Sequence, residues 1–158
     1  MMDAGRHPNI KLLSYSEVVE VHGYVGNFDV KVKMKPRYVD IEKCTGCGAC
    51  MEACVWKDRV YSEYEVGMGL RSSAYIPFAQ AVPMKATIDP ESCLFLTRGK
   101  CAQKCLKACE AGAIDFDQKE EFLDIKVGTV VLATGFDLTD DPSLARYGYG
   151  IYENVIDG

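Results

Sequence analysis

The sequence predicts an α+β fold in which antiparallel strands flank a compact cysteine-rich domain. Three observations support this prediction. All eight cysteines of the 158-residue chain fall between Cys44 and Cys109. On both sides of that block, polar and apolar residues alternate with the period of half-buried strands. The block itself consists of two similar halves. We therefore expect three segments, 1–37, 38–117 and 118–158, with the cysteine chemistry confined to the middle one.

The flanks supply the strands. Residues 27–35 alternate between apolar and charged side chains, which is typical of a strand with one buried face. Residues 17–21 predict its partner, and residues 121–127 predict a third strand of the same sheet. The apolar face of the middle strand would consist of Phe28, Val30, Val32 and Met34. The cysteine block would then be an insertion between the second and third strands.

The first cysteine quartet has the spacing C-x2-C-x2-C-x3-C and consists of Cys44, Cys47, Cys50 and Cys54. This spacing is the run that holds cubane iron–sulfur clusters in bacterial ferredoxins. Small residues between the cysteines let three thiols point inward and let backbone N–H groups approach the sulfurs. The quartet therefore predicts a [4Fe-4S] site. In two-cluster ferredoxins the fourth cysteine of such a run reaches the other cluster.

A second quartet follows with the longer spacing C-x7-C-x3-C-x3-C, and consists of Cys93, Cys101, Cys105 and Cys109. Residues 39–44 resemble residues 88–93, so each half has a short strand that delivers its first cysteine. Residues 111–116 predict a turn and a returning strand. These features are typical of the twofold internal repeat of a two-cluster ferredoxin, and we expect two [4Fe-4S] clusters.

Other uses of eight cysteines remain open. A disulfide framework suits short secreted chains, and structural zinc usually takes two C-x2-C pairs a dozen or more residues apart. The first quartet is packed within eleven residues, and both histidines, His7 and His22, lie outside the block. Iron–sulfur ligation is therefore the preferred interpretation. A three-iron cluster is its variant if one ligand is not used.

The run 128–135 is short, apolar and ends in a glycine turn. It predicts a strand over residues 130–133 that is buried on both faces, as in a parallel sheet. Such a strand needs parallel neighbours, and the sequence offers none. No G-x-G-x-x-G dinucleotide fingerprint follows a strand either. We therefore expect the chain to be a piece of a larger protein.

Composition excludes several classes of function. The formal net charge is -5 and the isoelectric point is about 5.1, which argues against a nucleic-acid partner. No window approaches the roughly 18 consecutive apolar residues of a membrane helix. Residues 1–7 have no apolar core of a secretory signal. We expect a cytoplasmic protein that contacts neither nucleic acid nor membrane.

Stretches along nearly the whole chain resemble the A subunit of heterodisulfide reductase, the flavin-containing subunit found in methanogens and related archaea and bacteria. The matching stretches are residues 6–13, 23–28, 75–78, 80–83, 88–91, 133–137, 147–150 and 152–155. In this family a thioredoxin-reductase-like flavin domain carries an inserted ferredoxin domain. The resemblance implies that the flanks of this chain belong to such a flavin domain and that the cysteine block is the insertion.

The resemblance also implies the function and the site residues. By the crossed pattern of two-cluster ferredoxins, one cluster would be held by Cys44, Cys47, Cys50 and Cys109, and the other by Cys93, Cys101, Cys105 and Cys54. The chain would transfer electrons and carry no catalytic residue, whereas its parent would be an oxidoreductase. The segment of Ala133, Thr134 and Gly135 resembles one that contacts FAD, which is bound only in the full-length parent.

In such a parent, the clusters would connect the flavin with other heterodisulfide reductase subunits and redox partner proteins. This connection is part of flavin-based electron bifurcation in methanogenesis. Two alternatives to an electron-transfer module stay open. One is a zinc-stabilised interaction module, and the other is a flavin-binding oxidoreductase domain.

Overall fold

The computed structural model describes residues 2–135 and 142–155. The chain forms two compact units, Met1–Gly128 and Thr129–Gly158. The elements are, in order, α1 (Met2–Arg6), β1 (Ser16–Tyr24), β2 (Asn27–Met34), α2 (Ala49–Glu52), β3 (Val60–Tyr61), β4 (Leu70–Arg71), β5 (Ala74–Tyr75), β6 (Thr87–Ile88), α3 (Leu94–Arg98), α4 (Lys104–Ala108), β7 (Glu121–Val127) and a 3₁₀ helix (Pro142–Tyr147). Short helices and antiparallel strands confirm the α+β class. Within the described ranges, no helix is both long and apolar enough to cross a membrane.

The longest strands form a three-stranded antiparallel sheet of order β1-β2-β7. Val32 in the central strand pairs with Val18 on one side and with Leu123 on the other, so apolar residues of all three strands share one face. Val30 and Val32 are buried there. The three predicted strands are confirmed, as is the position of the cysteine block between the second and the third.

The two halves of the cysteine block deliver their first cysteine in the same way. The amide of Cys44 donates to the carbonyl of Asp40 at 2.9 Å, and the amide of Cys93 donates to the carbonyl of Asp89 at 3.0 Å. The returning strand is reduced to one antiparallel bridge between residues 39 and 114. The predicted internal repeat is confirmed by these equivalent contacts.

Thiols form part of the core of this block. The buried core residues are Val39, Cys44, Cys50, Ala74, Ala86, Ile88, Cys93, Ala113 and Ile114. Of the six others, three are alanines and three are the β-branched residues Val39, Ile88 and Ile114, so sulfur and aliphatic side chains make up this core. The core of this block is therefore built around the cysteines.

Arg71, at the end of the hairpin β3–β4, ties this hairpin to the second half. Its side chain is 11% exposed and forms ion pairs with Asp89 at 3.1 Å and with Glu63. The guanidinium lies 4.0 Å from the ring centroid of Tyr75, within the range of cation–π attraction. Because the carbonyl of Asp89 accepts the amide of Cys93, the Arg71 contacts fix the backbone that presents this cysteine.

The strand predicted over residues 130–133 is wrong. Residues 129–135 have irregular backbone, and the side chains of Val131 and Leu132 are each 84% exposed. A strand needs a partner for its backbone groups, and in the described part of the chain no other strand pairs with this run. The apolar run alone is therefore insufficient to form a strand.

Candidate metal centre

Four of the eight thiols line one cavity of about 520 Å³. They are Cys44, Cys47, Cys50 and Cys109, so three come from the first quartet and one from the second. The remaining wall consists mainly of small residues and backbone, from Gly46, Gly48, Ala49, Ala86, Ala108, Ala111 and Ala113 among others. The cavity is thus roomy and is bounded by groups that bring N–H donors close to the sulfurs.

Two glycines shape the loop that presents the first quartet. Gly46 and Gly48 have φ of 73° and 79°, in the left-handed region that favours glycine. A Cβ atom on Gly46 would lie under 3.0 Å from the carbonyl oxygen of Met84, closer than real Cβ atoms come to a neighbour. Glycine at position 46 is therefore required by both the backbone conformation and the close approach of residue 84.

Hydrogen-bond donors reach two of the sulfurs in this cavity. The pKa of Cys47 is lowered, first by the amide of Ala49 and then by the hydroxyl of Thr45. The amide of Ala113 donates to the Sγ atom of Cys109 at 3.3 Å. Donors of this kind stabilise thiolate, which is the form of cysteine that binds metal.

The thiol of Cys50 has the opposite shift. Its pKa is raised to about 11, mainly by burial and then by the nearby sulfurs of Cys44 and Cys109. Three cysteines thus lie close enough for their charges to interact, although one of them is more than fifty residues away in the sequence. Ligation would have to displace the proton of Cys50.

The other four thiols line a second cavity, and they are Cys54, Cys93, Cys101 and Cys105. Its wall is bulkier and includes Trp56, Phe95 and Phe116, with the rings of the two phenylalanines 4.7 Å apart between centroids. Its volume is only about 20 Å³, roughly the space of one water molecule. The lining side chains would have to move outward to admit a cluster.

The pKa of Cys105 depends on the three other thiols that line this cavity. Its pKa is raised to about 11, mainly by burial. The amide of Leu106 acts in the opposite direction, and the sulfurs of Cys54, Cys93 and Cys101 contribute to the rise. The second cavity therefore also has four sulfurs close together.

Ser73 is one of the residues that line the second cavity. The residue is 1% exposed. Its Oγ atom is buried and has no hydrogen-bond partner among the described residues. A buried hydroxyl without a partner is unfavourable by about 1–3 kcal/mol. The four thiols could bind iron, and the unpartnered hydroxyl could donate a hydrogen bond to a sulfur atom. The wall therefore suits a group that contains both iron and sulfur.

The donor sets fit four-iron clusters better than single metal ions. In the part of the chain that the structure describes, no three His, Cys, Asp or Glu side chains are arranged to hold one metal ion. Zinc would need each sulfur at about 2.3 Å from one centre. The first cavity has ample room for a [4Fe-4S] cluster. The second cavity has the four thiols that such a cluster needs, but its aromatic side chains would have to move outward to admit it.

The remaining predicted site residues lie in the second unit. Ala133, Thr134 and Gly135 are exposed and lack secondary structure. Gly135 has φ of 76°, consistent with the predicted glycine turn. The ligand roles of the eight cysteines and the flavin role of this segment stay predictions.

Sequence reasoning missed two polar residues near the thiols. One is Ser73, and the other is Lys85, whose Nζ atom donates to the carbonyl of Cys44 at 2.5 Å. Neither residue belongs to a motif, and both are far in sequence from the cysteines they approach. Their proximity depends on tertiary packing of the segment between the quartets, which no spacing rule describes.

Comparison with known proteins gives concordant matches. A family model described as a 4Fe-4S binding domain matches residues 35–56. The chain is 48% identical over its whole length to the A subunit of H(2):CoB-CoM heterodisulfide,ferredoxin reductase from Methanothermobacter marburgensis. It is 47% identical over 99% of its length to the iron-sulfur A subunit of CoB--CoM heterodisulfide reductase from Methanocaldococcus jannaschii. A protein of Archaeoglobus profundus that is named as similar to the heterodisulfide reductase A subunit is 41% identical over 89% of the chain. The chain spans 22–23% of the length of these relatives.

Proposed function

The chain is homologous over nearly its whole length to a segment of the heterodisulfide reductase A subunit, and on this premise we propose that it is an electron-transfer module holding two [4Fe-4S] clusters. Its 4Fe-4S binding domain supports an iron–sulfur role. We propose the number of clusters, their ligands and their place in an electron pathway.

One observation carries most weight: the eight thiols divide four and four between two cavities, and the division crosses the two quartets. Cys109 joins the thiols of the first quartet, and Cys54 joins those of the second. This is the arrangement of two-cluster ferredoxins. Four thiolates are the complete ligand set of a cubane cluster, so each cavity has a full set and no thiol is left over.

The residues of the chain would hold the clusters, set their potentials and exclude water. A bound [4Fe-4S] cluster supplies one-electron exchange without bond chemistry. The amides of Ala49 and Ala113 and the hydroxyl of Thr45 stabilise negative charge on sulfur in the first cavity. Trp56 and the two phenylalanines shield the second cavity from water. Cys50 in α2 and Cys105 in α4 lie on two helices that contact each other, so the two clusters would be close enough for a short electron hop.

The rest of the proposal concerns the full-length protein. The chain would be the ferredoxin domain inserted in a thioredoxin-reductase-like flavin domain, with the sheet β1-β2-β7 as part of that domain. Ala133, Thr134 and Gly135 would contact the FAD of the full-length protein. The clusters would relay electrons between this flavin and other subunits or redox partners in the cytoplasm, as in flavin-based electron bifurcation.

The proposal is tested by purifying the chain without oxygen and counting its inorganic constituents. We expect about eight iron and about eight acid-labile sulfide per chain, brown colour that bleaches with dithionite, and two interacting paramagnetic signals in the reduced state. Zinc in place of iron, with no visible absorption, would instead support the interaction module. A bound yellow flavin would support the flavin-binding alternative.

A further inference from the structure

The second cavity contains a polar group that its thiols do not explain. Ser73 follows β4 and precedes β5, in the tight segment that connects these strands. Its backbone carbonyl accepts the amide of Asp89 at 2.8 Å, so the position of the residue is fixed by the pairing with the second half of the repeat. The residue lines the cavity, and its buried hydroxyl has no hydrogen-bond partner among the described residues.

The neighbouring serine shows that a buried hydroxyl in this segment does not generally lack a hydrogen-bond partner. Ser72 is also buried, at 4% exposed, but its Oγ atom donates to the carbonyl of Met51 at 3.4 Å, and the residue lines another cavity. Two adjacent buried serines thus differ in one respect. The hydroxyl of Ser72 has a protein acceptor, whereas that of Ser73 has none, and Ser73 lines a cavity that four cysteines also line.

We propose that the hydroxyl of Ser73 donates a hydrogen bond to a sulfur of the cluster held by Cys54, Cys93, Cys101 and Cys105, and thereby raises its reduction potential. This inference rests on the proposed function. Reduction adds one negative charge to the cluster, and a donor to its sulfurs stabilises the more negative state. Ser73 would be a positioning and tuning residue of the second cluster only.

The surroundings of Ser73 make such a donor effective. The cavity wall next to it is largely apolar, with Ala74, Ile88, Phe95 and Phe116. In apolar surroundings a hydrogen bond to a charged acceptor is stronger than in water. In the first cavity, the amides of Ala49 and Ala113 and the hydroxyl of Thr45 lie within four residues of the cysteines they reach. In the second cavity, the donor would be Ser73, which is distant in sequence from all four cysteines.

The test compares Ser73→Ala with Ser72→Ala in the anaerobically purified chain. Both changes remove one buried hydroxyl from neighbouring positions. We expect both variants to keep the iron and sulfide content of the unmodified chain. In a redox titration followed by paramagnetic resonance, Ser73→Ala should lower the midpoint of one cluster and leave the other unchanged. We expect a loss of up to about tenfold in the reduced-to-oxidised ratio at a fixed potential, about 59 mV for one electron.

The shifted cluster should be the one whose signal is lost in Cys101→Ser. Ser72→Ala should shift neither midpoint. Equal midpoints in Ser73→Ala and the unmodified chain, with both clusters present, would overturn the inference while leaving the proposed function intact. Absence of two clusters from the unmodified chain would instead be a failure of the proposed function.

If Ser73→Ala did not assemble the second cluster, a comparison of Ser73→Thr with Ser73→Val would test whether the hydroxyl is needed. These two side chains have nearly the same shape and differ by the hydroxyl. The inference requires a higher midpoint, or a second cluster at all, in Ser73→Thr and not in Ser73→Val. Equal behaviour of the two variants would assign Ser73 to packing alone and would overturn the inference.

Discussion

The Nζ atom of Lys85 donates a hydrogen bond of 2.5 Å to the backbone carbonyl of Cys44, across 41 residues of sequence. Lys85 is partly buried, and Cys44 lines the first cavity. The contact places a positive charge beside the first ligand set. Because the side chain is held by a backbone acceptor, the position of this charge does not depend on whether a cluster is present.

We expect Lys85→Met to lower the midpoint potential of the first cluster. Removing a nearby cation disfavours the more negative reduced state, and a shift of roughly 30–60 mV corresponds to about 0.7–1.4 kcal/mol. A redox titration followed by paramagnetic resonance measures it. Lys43→Met is the control, because Lys43 is next to Cys44 in sequence but is paired with Asp40 at 3.2 Å and more exposed. An equal shift in both variants would mean that only net charge matters.

The crossing of the two quartets predicts which cysteine variants behave alike. Cys109→Ser should impair the same paramagnetic signal as Cys47→Ser, because these thiols line the first cavity. Cys54→Ser should impair the same signal as Cys101→Ser, because these line the second. If Cys54→Ser instead impaired the signal lost in Cys47→Ser, each quartet would hold its own cluster.

Gly46→Ala should prevent stable assembly of the first cluster. The left-handed backbone is unfavourable for alanine by about 1–2 kcal/mol, and the added Cβ atom would clash with the carbonyl oxygen of Met84. The matched control is Gly99→Ala, which has φ of 63° but no atom within 4 Å of the added Cβ. Iron content and the paramagnetic signals measure the result. Loss of the first cluster in both variants would show that backbone strain alone is decisive.

Arg71→Met should destabilise the folded chain by about 2–3 kcal/mol, because it leaves the half-buried carboxylate of Asp89 without its cation. The measurement is anaerobic denaturant unfolding. Lys126→Met is the control, because Lys126 lies 3.8 Å from Asp29 in an exposed ion pair. This change should lower the free energy of unfolding by at most about 1 kcal/mol.

The destabilisation should depend on pH. Burial raises the pKa of Asp89, but hydrogen bonds from Ser92, the amide of Glu91 and Arg71 together lower it below 3.8. A carboxyl with a depressed folded pKa stabilises the fold above its unfolded pKa and loses that contribution as the pH falls through the folded value. The difference between Arg71→Met and the unmodified chain should therefore shrink below about pH 4. A constant difference down to about pH 2 would contradict the role of Asp89.

Removal of iron with a chelator and an oxidant should unfold the cysteine domain. Three of its core residues, Cys44, Cys50 and Cys93, are thiols, and a domain of about 80 residues has a small core of its own. Amide spectra of residues 38–117 should lose their dispersion. A well-dispersed spectrum with a cooperative thermal transition, in a sample shown to contain no iron, would refute this dependence.

The sequence predicts the parts of the structure that depend on local pattern. The alternation around Val30 and Val32 is sufficient to predict a half-buried strand, and the spacing from Cys44 to Cys54 predicts a cluster loop because few other sites need such closely placed thiols. The strand over residues 130–133 is wrong since apolarity alone does not supply a pairing partner. Ser73 and Lys85 could not be found, because their positions beside the thiols arise only when β5 pairs with β6 and the intervening segment folds back.

Two of the three short helices in the cysteine block, α2 and α4, each serve both cavities. Cys50 in α2 lines the first and Cys54 just beyond α2 lines the second, while Cys105 in α4 lines the second and Cys109 just beyond α4 lines the first. Oxygen damage at one inorganic cube would release one anchor from both helices at once. Each cluster would therefore help to hold the two helices that present the ligands of the other cluster.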